Sequence, residues 1–122
     1  MRWLIGLSLC GALAGGCNTP SVPLPPPDIN ALAFMAPQAG TLVLDGGPSP
    51  RHDGVLFYVV DETSGDGVIQ KAKGDGSFTT EAFAGAAGDL VEIYYEANGE
   101  RSGTAVCTVS LGVPLGNPGV CQ

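Results

Sequence analysis

The chain has 122 residues, of which 44% are apolar and 14% charged, with 19 Gly and 10 Pro. That balance is too apolar for disorder and too punctuated for long helices, so an all-α fold is excluded and one small β-rich domain is expected. Twelve acidic residues against five basic ones give a formal charge of −7, and without a Lys/Arg-rich surface to neutralise phosphates the chain is not built for nucleic acid.

Residues 1–16 hold one basic residue, Arg2, followed by an apolar run from Trp3 to Ala14 that closes in small residues, the pattern of a cleaved signal peptide. As a helix the run would reach about 18 Å against a hydrocarbon core of roughly 30 Å, too short to remain as a transmembrane span. The segment Leu13-Ala14-Gly15-Gly16-Cys17 resembles the lipobox of bacterial lipoproteins, with Ala14 where the family favours Leu. The resemblance implies that Cys17 is acylated, becomes the first mature residue and anchors the protein to the cell envelope. Cys10, behind the bulky Leu9, leaves with the signal. Asn18 stands where enterobacterial relatives retained at the inner membrane carry Asp, which implies the outer membrane. With Cys10 removed and Cys17 committed to lipid, Cys107 and Cys121 remain, and in an oxidising compartment two thiols pair. A loop of about 14 residues closed in this way constrains the unfolded chain by roughly 3 kcal/mol.

Residues 17–30 follow as a spacer carrying Pro20, Pro23, Pro25, Pro26 and Pro27. Proline at that density extends as polyproline II, on the order of 30 Å at about 3.1 Å per residue. Residues 31–122 then alternate short apolar runs with turn chemistry, which predicts strands over 31–36, 41–45, 54–61, 67–73, 76–83, 89–97 and 103–111. In 91–97 the period of two places Val91, Ile93, Tyr95 and Ala97 on the core face, and Ala105, Cys107, Val109 and Leu111 follow the same logic. Phe78, Thr80 and Ala82 complete that layer. The strand 54–61 is apolar on both faces, which marks it as central, with Phe57 and Val59 expected inward.

About seven strands in one domain predict two packed antiparallel sheets. The stretch Ala72-Lys73-Gly74-Asp75-Gly76-Ser77-Phe78-Thr79, followed by Ala86-Ala87-Gly88-Asp89-Leu90-Val91-Glu92-Ile93, resembles bacterial immunoglobulin-like repeats and the related carboxypeptidase regulatory-like domains. The resemblance implies an immunoglobulin-like β-sandwich that is a spacer, an adhesive module or a binding platform rather than an enzyme.

Chemistry is sparse. His52, the one histidine, sits in Ser49-Pro50-Arg51-His52-Asp53-Gly54 and reads as a solvated loop side chain. Asp61 and Asp66 bracket a loop with enough oxygens for a weak calcium site but without the EF-hand pattern. No zinc spacing and no phosphate-cradling glycine loop is present, so no cofactor is expected. Tyr58 and Tyr94 are the candidate binding residues, a pair able to stack on a sugar ring or dock against a protein. The expectation is a lipid-anchored, non-catalytic envelope protein with a structural or protein-binding role toward another envelope protein. The alternative is a carbohydrate-binding or calcium-assisted module.

Overall fold

A computed structural model describes residues 24–111 and 120–121; the signal segment, Cys17 and the spacer as far as residue 23 lie outside them. The described residues form ten strands: β1 (Leu32–Met35), β2 (Thr41–Gly46), β3 (Leu56–Asp61), β4 (Gly67–Lys71), β5 (Phe78–Thr79), β6 (Phe83–Ala84), β7 (Leu90–Ala97), β8 (Glu100–Arg101), β9 (Ala105–Ser110) and β10 (Val120–Cys121). β1, β2 and β5 pair in that order, with β6 also on β2, while β10-β9-β7-β3-β4 form the second sheet, with β8 on β7. Every strand pair is antiparallel.

Alternation along the strands explains why the two sheets meet. Phe34, Leu42, Leu44, Phe78 and Phe83 from the first sheet share one buried core with Phe57, Val59, Val91, Ile93, Tyr95, Cys107 and Val109 from the second. The strands of the two sheets that meet thus turn one dry face to the shared core, and the arrangement is a β-sandwich of two antiparallel layers. Turns sit where residues tolerate positive φ. Asn98 and Gly99, at φ 54° and 80°, form the two-residue hairpin turn that joins β7 to β8. Gly76, at φ 86°, packs so closely on Ser49 that a Cβ there would overlap the Ser49 carbonyl.

The strand expected over 76–83 is broken. β5 pairs with β2 through Asp45↔Thr79 and Gly46↔Phe78, whereas β6 pairs through Leu42↔Phe83 and Thr41↔Ala84. Between them the register slips by one, so that Glu81 and Ala82 together oppose Val43, a β-bulge. Thr80 holds the neck of the bulge: its N–H donates to the Leu44 carbonyl at 2.9 Å, and its hydroxyl accepts from the Leu44 N–H at 3.0 Å. The slip reverses the phase of the pleat. Ala82, expected inward, is exposed, and Phe83 takes the core position instead.

The spacer also ends earlier than expected. Leu24 forms a parallel bridge with Ser102, and its carbonyl accepts from the Gly103 N–H at 3.0 Å. Pro27 is buried. Residues 24–27 thus belong to the sandwich, and the domain begins before residue 31.

Cys107 and Cys121 stand at disulfide distance, with Cα atoms 5.2 Å apart, inside the range a bridge requires. The pairing lies across the β9–β10 ladder, which consists of Val120↔Ser110 and Cys121↔Val109.

Candidate functional site

The outward face of the six-stranded sheet is the least conventional surface of the domain. Because Phe57 and Val59 point inward, Leu56, Tyr58 and Val60 point out, and their partners follow from the register. Tyr58 lies opposite Ile69 on β4 and Tyr94 on β7, while Val60 lies opposite Glu92. On the next strand Glu92 faces Val106 and Leu90 faces Thr108. The four exposed large apolar side chains among the described residues are Leu56 at 37%, Ile69 at 62%, Leu90 at 42% and Val106 at 50%. All four stand on this one face. Scattered exposed apolar residues are ordinary, but a cluster on a single sheet face marks an interaction surface.

The structure brings Tyr58 and Tyr94 together. Their rings stack with centroids 4.8 Å apart and planes 5° from parallel. The Arg101 guanidinium lies 3.8 Å from the Tyr94 centroid, a cation–π contact. Since β3 flanks β7 on one edge and β8 on the other, Tyr58 covers one face of Tyr94 and Arg101 the other. The Tyr58 hydroxyl donates to Glu96 Oε1 at 2.8 Å, a bond that holds the phenol proton and raises its pKa. The pair is a cross-strand ladder that stiffens the face. Both faces of the Tyr94 ring are thereby covered.

Asp61 and Asp66 are turned toward backbone donors. Asp61, fully buried, accepts at Oδ1 from the Thr63 and Ser64 N–H groups at 2.9 and 2.8 Å. Asp66 accepts at Oδ2 from Ala84 N–H and at Oδ1 from Gly67 N–H, which lowers its pKa. The Asp66 oxygens and Asp61 Oδ1 tie loops to strands through N–H donors, whereas Asp61 Oδ2 is buried without a hydrogen-bond partner. Among the described residues no three His, Cys, Asp or Glu side chains group as a metal site.

His52 corrects the sequence reading. The short 3₁₀ turn Pro50–His52, capped by Ser49, swings the imidazole into the sandwich, where it is 7% exposed. It packs at right angles to Phe57, centroids 5.1 Å apart, and against Tyr95 at 4.8 Å. Nε2 is buried without a hydrogen-bond partner. Its ring is part of the aromatic core beside Phe57 and Tyr95.

His52 and Asp61 pull stability in opposite directions with pH. Burial, aided by the Arg51 charge, lowers the His52 pKa from its ordinary 6.5. The unfolded chain therefore binds the proton first, and stability falls as pH drops through 6.5 toward the folded value. Burial, with the adjacent Asp89 carboxyl, raises Asp61 above its ordinary 3.8 despite the opposing Ser64 and Thr63 N–H bonds. The fold favours the protonated acid, so this contribution is lost as pH rises through the folded value. The two slopes oppose each other between 3.8 and 6.5, the Asp61 contribution falling and the His52 contribution rising as pH increases, so thermal melts across that range are expected to report their difference. His52→Leu should remove the rise toward pH 6.5 and Asp61→Asn the fall above pH 3.8, and unchanged pH profiles of Tm in both variants would contradict the assignment.

The tyrosines were visible in the sequence, whereas the aliphatic face around them was not. Leu90 and Val106 occupy outward positions of an alternating pattern, and that placement was the available signal. Comparison with models of protein families, with curated proteins and with solved structures finds no match to this chain.

Proposed function

We propose that this is a lipid-anchored envelope protein, held at the outer membrane through Cys17, whose non-catalytic, immunoglobulin-like sandwich binds another envelope protein through the outward face of its six-stranded sheet. One observation carries the reading: Leu56, Ile69, Leu90 and Val106, the exposed large apolar side chains among the described residues, share that face. The Tyr58–Tyr94–Arg101 ladder supports a rigid platform, since stacked side chains lose less freedom on docking. The lipobox-like segment before Cys17 supports the anchor.

Two measurements test it. Mass spectrometry of the mature N-terminus is expected to find acylated Cys17, and Cys17→Ser should leave the protein unprocessed or soluble; an unmodified Cys17 defeats the anchor. A photo-crosslinking residue placed at Ile69 or Val106 of the full-length protein in the envelope is expected to give one discrete adduct. The same residue at Ala33, on the other sheet, should give none. Equal labelling from both sheets, or none from Ile69 and Val106, removes the docking face.

A further inference from the structure

Glu92 is the anomaly of the outward face. It is half-buried and stands between Val60 on β3 and Val106 on β9, with Leu90 and Tyr94 two residues before and after it on the same side of β7. Its nearest neighbours along and across the strands, Leu90, Tyr94, Val60 and Val106, are apolar or aromatic. The other charges of the face are engaged or peripheral: Glu96 accepts from Tyr58, Arg101 lies on Tyr94, and Lys71 ends the edge strand opposite Leu56. Among the described residues Glu92 makes no ion pair and no side-chain hydrogen bond. While the face is open, water reaches its carboxylate. Once an apolar partner covers the ring of aliphatic side chains, that water is displaced and a carboxylate without a counterion becomes expensive.

From this arrangement we infer, building on the docking reading above, that the partner is a basic protein surface that places one Arg or Lys, ringed by aliphatic side chains, onto Glu92. Charge complementarity selects this occupant over a second copy of the chain. Two copies each carry a formal charge of −7 and would bring two Glu92 carboxylates toward one apolar interface, whereas a basic partner is drawn in by the same charge and satisfied at the centre. A membrane surface is disfavoured because the face offers no cluster of Lys and Arg to meet anionic headgroups.

The test uses a random library of disulfide-closed β-hairpin peptides, selected against the purified domain comprising the described sandwich with its intact N-terminal spacer. The expected result is enrichment of hairpins carrying one Arg or Lys between aliphatic residues. Their affinity should fall at least about tenfold on Glu92→Gln and on replacement of the peptide Arg by citrulline, as for a charge pair deprived of one member. It should also fall with added salt. Circular dichroism of Glu92→Gln should be unchanged, since the carboxylate supports no fold contact. Enriched hairpins without a basic residue, or hairpins that bind Glu92→Gln as well as the parent, overturn the central charge pair while leaving an apolar docking face in place. Failure to enrich any hairpin overturns the inference as well, and the crosslinks from Ile69 and Val106 decide the docking face separately.

Discussion

Replacing Phe57 by alanine is expected to remove ~3–5 kcal/mol of stability, the range for truncating a fully buried aromatic, from a total of about 5–15. Phe57 is completely buried and belongs to β3 of the six-stranded sheet, yet its ring stacks at 4.0 Å and 23° on Phe78, from β5 of the other sheet. His52 stands perpendicular to it and Tyr95 lies 5.7 Å away. Three elements lose their common contact when the ring goes, and the rigid strands around it limit collapse into the cavity. Phe57→Leu keeps most of the volume and should cost less than about 1.5 kcal/mol. Urea unfolding of both variants checks the ordering. A Phe57→Ala loss below about 1 kcal/mol would mean the site repacks and is not the hub of the sandwich.

Converting Cys107 and Cys121 together to serine is expected to lower stability by ~2–4 kcal/mol, with β10 released first. The two residues are 14 apart in sequence, and the strand the link secures contributes only two ladder positions. β10 also lies against β1 and the 3₁₀ turn Ile29–Ala31. Its loss should expose the margin of the four-stranded sheet as well as its own. Hydrogen exchange should therefore quicken at Val109 and along β1 before it does at β3 or β7. Thiol counting in denatured, non-reduced protein gives the decisive control: full labelling of both cysteines would show that no bond exists to lose.

Much of the fold was legible because period two survives wherever a strand has one dry face. Val91, Ile93 and Tyr95 are inward, as are Ala105, Cys107 and Val109, and Phe57 and Val59 followed from the centrality of their strand. The illegible parts share a cause, which is that phase and not composition changed. Thr79-Thr80-Glu81-Ala82 contains no Gly or Pro to announce the bulge, so the extra residue that sends Phe83 inward leaves no compositional mark. At Pro50-Arg51-His52 the polar neighbours suggested solvent, but a single tight turn suffices to point one ring into the core. Polyproline chemistry before Asp28 predicted an extended backbone without indicating that Leu24 and Pro27 would find contacts on the sandwich. Within the candidate face the tyrosines stood out as residue types, whereas Glu96 became the partner of Tyr58 only through the β3–β7 register and Arg101 that of Tyr94 only through the β7–β8 hairpin, whose turn brings Arg101 opposite Glu96.

The docking of Leu24 beside Ser102 has a mechanical meaning. A load drawn through the N-terminus, as any tether ahead of residue 24 would transmit, enters the domain at a single bridge and one Gly103-to-Leu24 hydrogen bond. Beyond that point the tension reaches β1 at Leu32, the end paired with Gly46. It then acts on an antiparallel hairpin whose rungs open in succession, rather than on a ladder sheared all at once. The load thus meets the six-stranded sheet first, through Ser102 bonded to Tyr95 of β7, and the first sheet takes it only once that contact has opened.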